Sequence, residues 1–113
     1  MAYDEDTANR FRSALDGMEG ISEKRMMGGV CFLLNGNMIG GADRPKDGTP
    51  RLMFRVGKDN QAEADKLPGA QPMEMGGRRM SGFYFVDAED CDEDALKQWM
   101  SQALKFVTTL PPK

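Results

Sequence analysis

The apolar positions of this chain fall at helical spacing in two stretches, one near each end of the sequence. In residues 4–18 they recur at intervals of four and three, which predicts an amphipathic helix. After Asp92, a predicted N-cap, they recur 3, 4, 7, 8 and 11 positions beyond Leu96 and predict a longer helix that Pro111 ends. The apolar positions of the two helices are Phe11, Leu15 and Met18, and Leu96, Trp99, Met100, Ala103, Leu104 and Val107.

The stretch between these helices has the short apolar runs and the alternation that are typical of β-strands. Asn35-Gly36 separates two such runs and predicts a type I′ hairpin turn, because both central positions of that turn need positive φ. Residues 21–24 are predicted to be a linker, and Asp59 is the predicted N-cap of a short helix that stops at Pro68. The predicted strands are residues 25–34, 37–42, 52–56, 73–75 and 80–86, with a turn at 76–79.

The resulting element order, α-βββ-α-ββ-α, has short links and no β-α-β crossover, so the sheet should be mainly antiparallel. We predict an α+β fold in two layers, with about five strands packed against helices on one face. The 113 residues suit one domain over residues 1–113, because domains most often have about 100–150 residues. The 40% of hydrophobic and 29% of charged residues are typical of a globular protein.

Charge is distributed unevenly along the chain, although the net charge is only −3. Residues 21–58 carry seven basic and three acidic side chains, a local charge of +4, whereas the segments on either side are acidic. Basic side chains here and at a later glycine turn are candidates for contact with a phosphate or an acidic partner. The alternative is that they are ordinary solvated charges on half-exposed strands. The candidates are Lys24, Arg25, Arg51, Arg55, Arg78 and Arg79.

The pair Gly28-Gly29 has two interpretations, a phosphate-binding loop or a shaping element of a β-hairpin. A phosphate loop follows a strand and opens a helix, whereas this pair precedes a strand. We therefore predict an architectural role, either a bulge or a close backbone approach beside the first helix. With Asn35 and Gly36, these glycines form the predicted structural motif.

Residue patterns for catalysis and metal binding are missing from the sequence. The chain has no histidine, which removes the commonest general base. Cys31 lies in an apolar strand and should be a packing thiol, whereas Cys91 lies in an acidic run that raises a thiol pKa. That run has no glycine and does not fit a Ca²⁺ loop, and the ten methionines are predicted to fill gaps in the core rather than to bind a soft metal or a peptide. We expect no catalytic residue, no metal, no cofactor and no enzyme activity.

Several of these motifs together resemble one family. KRMMGGVCFLLNGNMIGG at residues 24–41, RLMFRV at 51–56, a Gly-Arg turn before an aromatic strand, and the closing DALKQWMSQAL resemble the N-terminal domain of the TfoX/Sxy competence-regulator family. The resemblance covers about residues 5–108. It implies an α+β domain with an antiparallel sheet and without catalytic residues. Longer relatives act as positive regulators of natural competence, work with the cyclic-AMP receptor protein and carry a separate C-terminal domain.

From the residues and the resemblance we expect a non-enzymatic interaction domain in transcription regulation, with a protein partner such as the cyclic-AMP receptor protein. Direct DNA binding should be weak or absent, because the overall charge is negative. An open sheet edge also allows a homodimer. The alternative is a small-ligand or peptide-binding module with a groove between sheet and helices. We expect a cytoplasmic location and no membrane association, since the N-terminal residues lack the apolar region of a signal peptide.

Overall fold

A computed structural model describes residues 5–26, 29–44, 48–67, 69–75 and 77–112. It has an α+β fold with three helices and six strands among these residues, which confirms the predicted class. Two 3₁₀ turns, Lys58–Asn60 and Ala88–Asp90, precede the second and third helices. The helices are α1 (Glu5–Ala14), α2 (Gln61–Ala64) and α3 (Glu93–Val107), and the strands are β1 (Ile21–Met26), β2 (Gly29–Leu34), β3 (Asn37–Asp43), β4 (Arg51–Arg55), β5 (Gln71–Met75) and β6 (Arg78–Asp87).

The six strands form one sheet in the order β1-β2-β3-β4-β6-β5, and every neighbouring pair is antiparallel. The β1 and β5 strands are therefore the two edges. Edge strands resist unwanted pairing when they carry charges or proline. Three consecutive charged residues in β1 and Pro72 in β5 fit that requirement.

The prediction of about five strands was one strand short. Residues 21–24, predicted to be a linker, belong to β1, and Arg25 lies near the end of β1 instead of starting the next strand. The reason is that an edge strand exposes most of its side chains, so the polar Ser-Glu-Lys-Arg run has no apolar alternation to reveal it.

Two other element boundaries also differ from the prediction. The first helix ends at Ala14, before residue 18, and Gly17 and Gly20 follow it with φ of 89° and 82°. The last strand begins at Arg78, so the predicted turn over residues 76–79 is shorter, and residue 76 lies outside the described residues.

Capping was predicted correctly at one helix and wrongly at another. Asp92 accepts a hydrogen bond of 2.8 Å from the backbone N–H of Ala95, which confirms it as the N-cap of α3. Asp59 lies inside a 3₁₀ turn, and the residue before α2 is Asn60, whose side chain makes no capping hydrogen bond. Asp59 was therefore the wrong cap, because the chain takes a 3₁₀ turn before the helix begins.

The predicted hairpin turn is confirmed by its backbone conformation. Asn35 and Gly36 have φ of 51° and 85°, the positive values that a type I′ turn needs at both central positions. The turn joins β2 to β3, and a register shift at Phe32/Leu33 adds one residue to the β3 side of the ladder.

A chain of stacked aromatic rings holds the helices on one face of the sheet, which we call the inner face. The ring of Phe11 in α1 stacks on Phe32 at 4.6 Å and on Phe54 at 5.5 Å between centroids. Trp99 in α3 continues the chain to Phe54 at 5.5 Å and to Tyr84 at 5.4 Å. All five rings are fully buried, so they form the centre of the core.

Candidate interaction surface

The opposite face of the sheet, which we call the outer face, carries the alternate residues of the same strands. Directly paired residues share a face of a sheet, and Cys31, Gly41, Met53 and Phe85 form one such row from β2 to β6. The rings of Phe83 and Phe85 are only half-buried here. The outer face includes Ser22, Lys24, Gly29, Cys31, Leu33, Met38, Gly41, Asp43, Arg51, Met53, Arg55, Gln71, Met73, Phe83, Phe85 and Asp87.

Arg51 is held in a fixed position on this face. Its Nε and Nη2 donate to the two carboxylate oxygens of Asp43 at 2.8 and 3.1 Å, a bidentate pair. The guanidinium lies 3.6 Å from the centroid of the Phe85 ring, and Asp87 is its cross-strand neighbour on β6. Two carboxylates therefore accompany one guanidinium, which leaves little positive charge for an external anion.

Arg55 lies two residues further along β4 and has a different environment. Its Nη1 donates to the carbonyl oxygen of Met38 at 3.4 Å, and its guanidinium carbon lies 5.3 Å from the ring centroid of Phe106 and 6.0 Å from that of Phe83. No carboxylate pairs with it among the residues that the structure describes. Arg55 therefore has no carboxylate partner among the described residues and lies beside two half-buried rings, Phe83 on β6 and Phe106 on α3.

The other predicted contact residues are spread over the molecule. Lys24 is exposed on the outer side of the β1 edge, whereas Arg25 pairs with Val30 and so belongs to the inner side. Arg78 is exposed at the first position of β6, and the side chain of Arg79 lies outside the described residues. The structure thus brings together Arg51 and Arg55 of the predicted set, and their contact role stays a prediction.

The predicted glycine motif is described in part. Gly28 lies outside the described residues, whereas Gly29 is buried opposite Asp43. A Cβ atom on Gly29 would lie 2.6 Å from the carbonyl oxygen of Ala42 and 2.7 Å from the Cβ of Asp43. This close approach agrees with an architectural role for Gly29, but the neighbour is β3 and not the first helix, because β2 pairs directly with β3.

A cleft of about 220 Å³ opens on the outer face. Small residues, the glycines and Cys31, line the cleft together with the larger side chains of Met53, Met73 and Phe85. The Asp43–Arg51 pair also lines it. The cleft is smaller than the roughly 300–1,000 Å³ of typical small-molecule sites. Its lining residues are Gly29, Val30, Cys31, Gly41, Ala42, Asp43, Arg51, Met53, Met73 and Phe85.

Burial is the main reason why both cysteines are poor nucleophiles; the sequence predicted this for Cys31, whereas for Cys91 it named only the acidic neighbours. Cys31 is 5% exposed and Cys91 is 2% exposed, and both thiols are free. Burial raises the pKa of the Cys31 thiol, against a smaller opposing effect of Lys24. Burial also raises the pKa of Cys91, and the nearby carboxylates add to it while Arg10 opposes it.

A second, larger groove of about 1160 Å³ runs between α1 and α3. Most of the residues that line it are polar or charged, and the apolar Leu96, Met100 and Leu104 also line it, with Leu104 only half-buried. Neither this groove nor the outer cleft lies between sheet and helices, where the sequence reasoning placed a binding groove.

Metal binding and membrane spanning are two further possibilities for the described part of the chain. Within it, no three His, Cys, Asp or Glu side chains come together as a metal-binding group. No helix in those same ranges combines the length and the apolar character needed to cross a membrane.

Sequence reasoning missed the contribution of Asp43, Met53 and Met73 to the outer surface. It predicted that Phe83 and Phe85 share a face, and that Leu52, Phe54 and Val56 alternate with Met53 and Arg55; all of this is confirmed. The missing information was that β4 and β6 are neighbours, which places these residues side by side.

Comparison with protein families bears on the resemblance noted in the sequence. The family model of the TfoX N-terminal domain matches residues 13–107 of the 113 residues, and this confirms the resemblance noted in the sequence. No curated protein and no solved structure matches the chain.

Proposed function

The chain belongs to the TfoX N-terminal domain family, and from that premise we propose that it is a non-enzymatic interaction domain that binds a protein partner through the outer face. The observation that carries this proposal is Arg55, which lacks a carboxylate partner in the described part of the chain and lies beside half-buried aromatic and methionine side chains. A partner that places a carboxylate on Arg55 would complete this surface.

The composition of the outer face supports a protein partner. Protein interfaces are enriched in aromatic residues, Met and Arg, and their strongest contacts often come from an Arg or an aromatic ring in a desolvated centre. Phe83, Phe85, Met53 and the two β4 arginines supply these residue types on one uncovered surface.

The process that we propose is transcription regulation, as the family resemblance suggests, with a regulator such as the cyclic-AMP receptor protein as the first partner to test. Direct DNA binding would be weak, because non-specific affinity depends on neutralising several phosphates at once. Arg51 is already paired with Asp43, and Lys24 lies three strands away from β4.

A binding site for a free small molecule is the weaker alternative. The outer cleft has about 220 Å³, which is below the usual size of such sites. The larger groove is lined mostly by polar and charged residues of α1 and α3 and does not lie between sheet and helices. The alternative also included peptide binding. Peptide binding is compatible with the proposal, because a peptide segment of a protein partner can occupy the same cleft.

The test is affinity purification of the tagged chain at native expression, with and without nuclease, and with the variants Arg55→Glu and Lys66→Glu. Lys66 is an exposed basic residue in the turn after α2 and serves as the matched control. We expect the wild-type and Lys66→Glu chains to recover an identified transcription regulator or RNA polymerase after nuclease treatment, and Arg55→Glu to recover much less.

Two results would contradict the proposal. Equal recovery of that partner by Arg55→Glu, with unchanged thermal unfolding of the variant, would exclude the outer face. Recovery of no protein, or loss of the partner on nuclease treatment, would exclude a direct protein contact.

A further inference from the structure

We propose that the outer cleft and Arg55 together recognise an extended partner segment with one apolar and one acidic residue two positions apart. This inference rests on the proposed function and specifies the chemistry of the partner. It follows from the size of the cleft, from the charges at each end of β4, and from the spacing between them.

The cleft suits one apolar side chain of the partner. Its volume of about 220 Å³ is too small for a typical ligand, and its walls are the thioethers of Met53 and Met73 and the ring of Phe85. Methionine side chains adapt to the shape of an inserted group. Cys31 contributes a neutral thiol to the floor, since burial raises its pKa. Insertion of an aliphatic or aromatic side chain would therefore remove water from that side chain and from the cleft walls.

The charges decide where an acidic residue of the partner would lie. At the cleft, Arg51 is neutralised by Asp43 and has Asp87 as its cross-strand neighbour, so a further carboxylate would meet repulsion there. At Arg55 the guanidinium contacts the carbonyl oxygen of Met38, the ring of Phe83 and the ring of Phe106 on α3, and no carboxylate among the groups that the structure describes. A carboxylate of the partner is therefore favoured at Arg55 and disfavoured at Arg51.

The spacing between Met53 and Arg55 on β4 predicts a sequence pattern for the partner segment. Met53, at the cleft, and Arg55 are two residues apart on one strand, which corresponds to about 6.6–6.8 Å. An extended segment that lies along β4 repeats its own side chains on one face at the same interval. The pattern is thus apolar-any-acidic, in either chain direction, because the geometry sets the distance and leaves the direction open.

The experiment titrates the ¹⁵N-labelled chain with the synthetic peptide acetyl-Gly-Ser-Leu-Ser-Asp-Ser-Gly-amide and follows backbone amide shifts. Matched peptides replace Asp by Asn, replace Leu by Ser, or place Leu and Asp next to each other. The protein variants are Arg55→Gln, Arg55→Lys, which keeps the charge, and Lys66→Gln as the control on another surface.

We expect shifts at Cys31, Gly41, Met53 and Phe85, and an affinity about fivefold lower for each altered peptide. Arg55→Gln should weaken binding of the Asp peptide by the same factor and leave the Asn peptide unaffected. Arg55→Lys should retain part of the discrimination, and Lys66→Gln should match the wild type.

Equal affinity for the Asp and Asn peptides, shifts that map to the groove between α1 and α3, or no shift at millimolar peptide would each overturn the inference. Failure of this inference can be distinguished from failure of the proposed function. If the regulator is still recovered by the wild type and lost with Arg55→Glu while the peptides fail, the outer face binds a partner by a different pattern.

Discussion

The two faces of the sheet are formed by the same strands, but different groups pack against the aromatic rings on each face. On the inner face, Phe54 stacks between rings contributed by two helices and is fully buried. On the outer face, Phe85 is covered by the guanidinium of Arg51 and stays half-exposed. A ring packed by rings excludes water and stabilises the fold, whereas a ring packed by a cation keeps a polar edge at the surface.

This difference shows how one sheet separates stability from recognition. Residues next to each other along a strand point to opposite faces, so Phe54 belongs to the core while its neighbour Met53 belongs to the outer surface. A change on the outer face should therefore alter binding more than folding.

Removal of one ring from each face should have unequal effects on stability. Phe54→Ala should lower the free energy of unfolding by about 3–5 kcal/mol, because it leaves a cavity among stacked rings. Phe85→Ala should cost only about 1 kcal/mol, since its ring is half-exposed and loses mainly the contact with Arg51. Urea unfolding of both variants measures the two losses. Equal losses would mean that the outer face is also part of the core.

Gly29→Val should lower the free energy of unfolding by about 1–3 kcal/mol, because its Cβ would collide with the carbonyl oxygen of Ala42 and force β2 away from β3. Cys31→Val, on the same strand and face, is the control and should cost no more than about 1.5 kcal/mol. Thermal and urea unfolding give both values. A soluble Gly29→Val protein with an unchanged melting temperature would contradict the architectural role of this glycine.

The Asp43–Arg51 pair should contribute little to stability despite its bidentate geometry. A double-mutant cycle with Asp43→Asn and Arg51→Met should give a coupling of about 0.5–1 kcal/mol, because the two side chains are about 30% exposed and solvent screens them. The coupling should fall in about 1 M salt, where the Debye length is about 3 Å. A coupling of several kcal/mol that is insensitive to salt would place this pair in the core.

The two thiols, one near each face, should produce a decline in stability at alkaline pH. Burial raises the pKa of Cys31 and Cys91 above the ordinary value, so the unfolded chain loses its thiol protons first as pH rises. Their ionisation therefore has no effect at neutral pH, and stability falls from about pH 8.5 up to the folded-state pKa. Urea midpoints between pH 7 and 10 should fall less for the double variant Cys31→Ala/Cys91→Ala. Parallel profiles would contradict the raised pKa values.

Most of the inner face was predictable because burial imposes local patterns. The stripe of α3, the alternation of Leu52, Phe54 and Val56, and the Asn35-Gly36 turn each follow from residues close in sequence. The candidate outer surface was predictable only as separate residues. Arg51, Met53 and Phe85 come from two strands, and their contacts depend on which strands pair.

The sequence by itself determined the α+β class, the hairpin turn, the cap at Asp92 and the resemblance to its family, because each depends on local geometry or on a short motif. Only the tertiary structure decided that residues 21–26 form an edge strand, and that Arg51 pairs with a carboxylate while Arg55 has none among the described residues. The physical reason is that strand order and the partner of a charge are non-local. They are set by contacts between residues far apart in the chain, which no local pattern of hydrophobic and polar positions records.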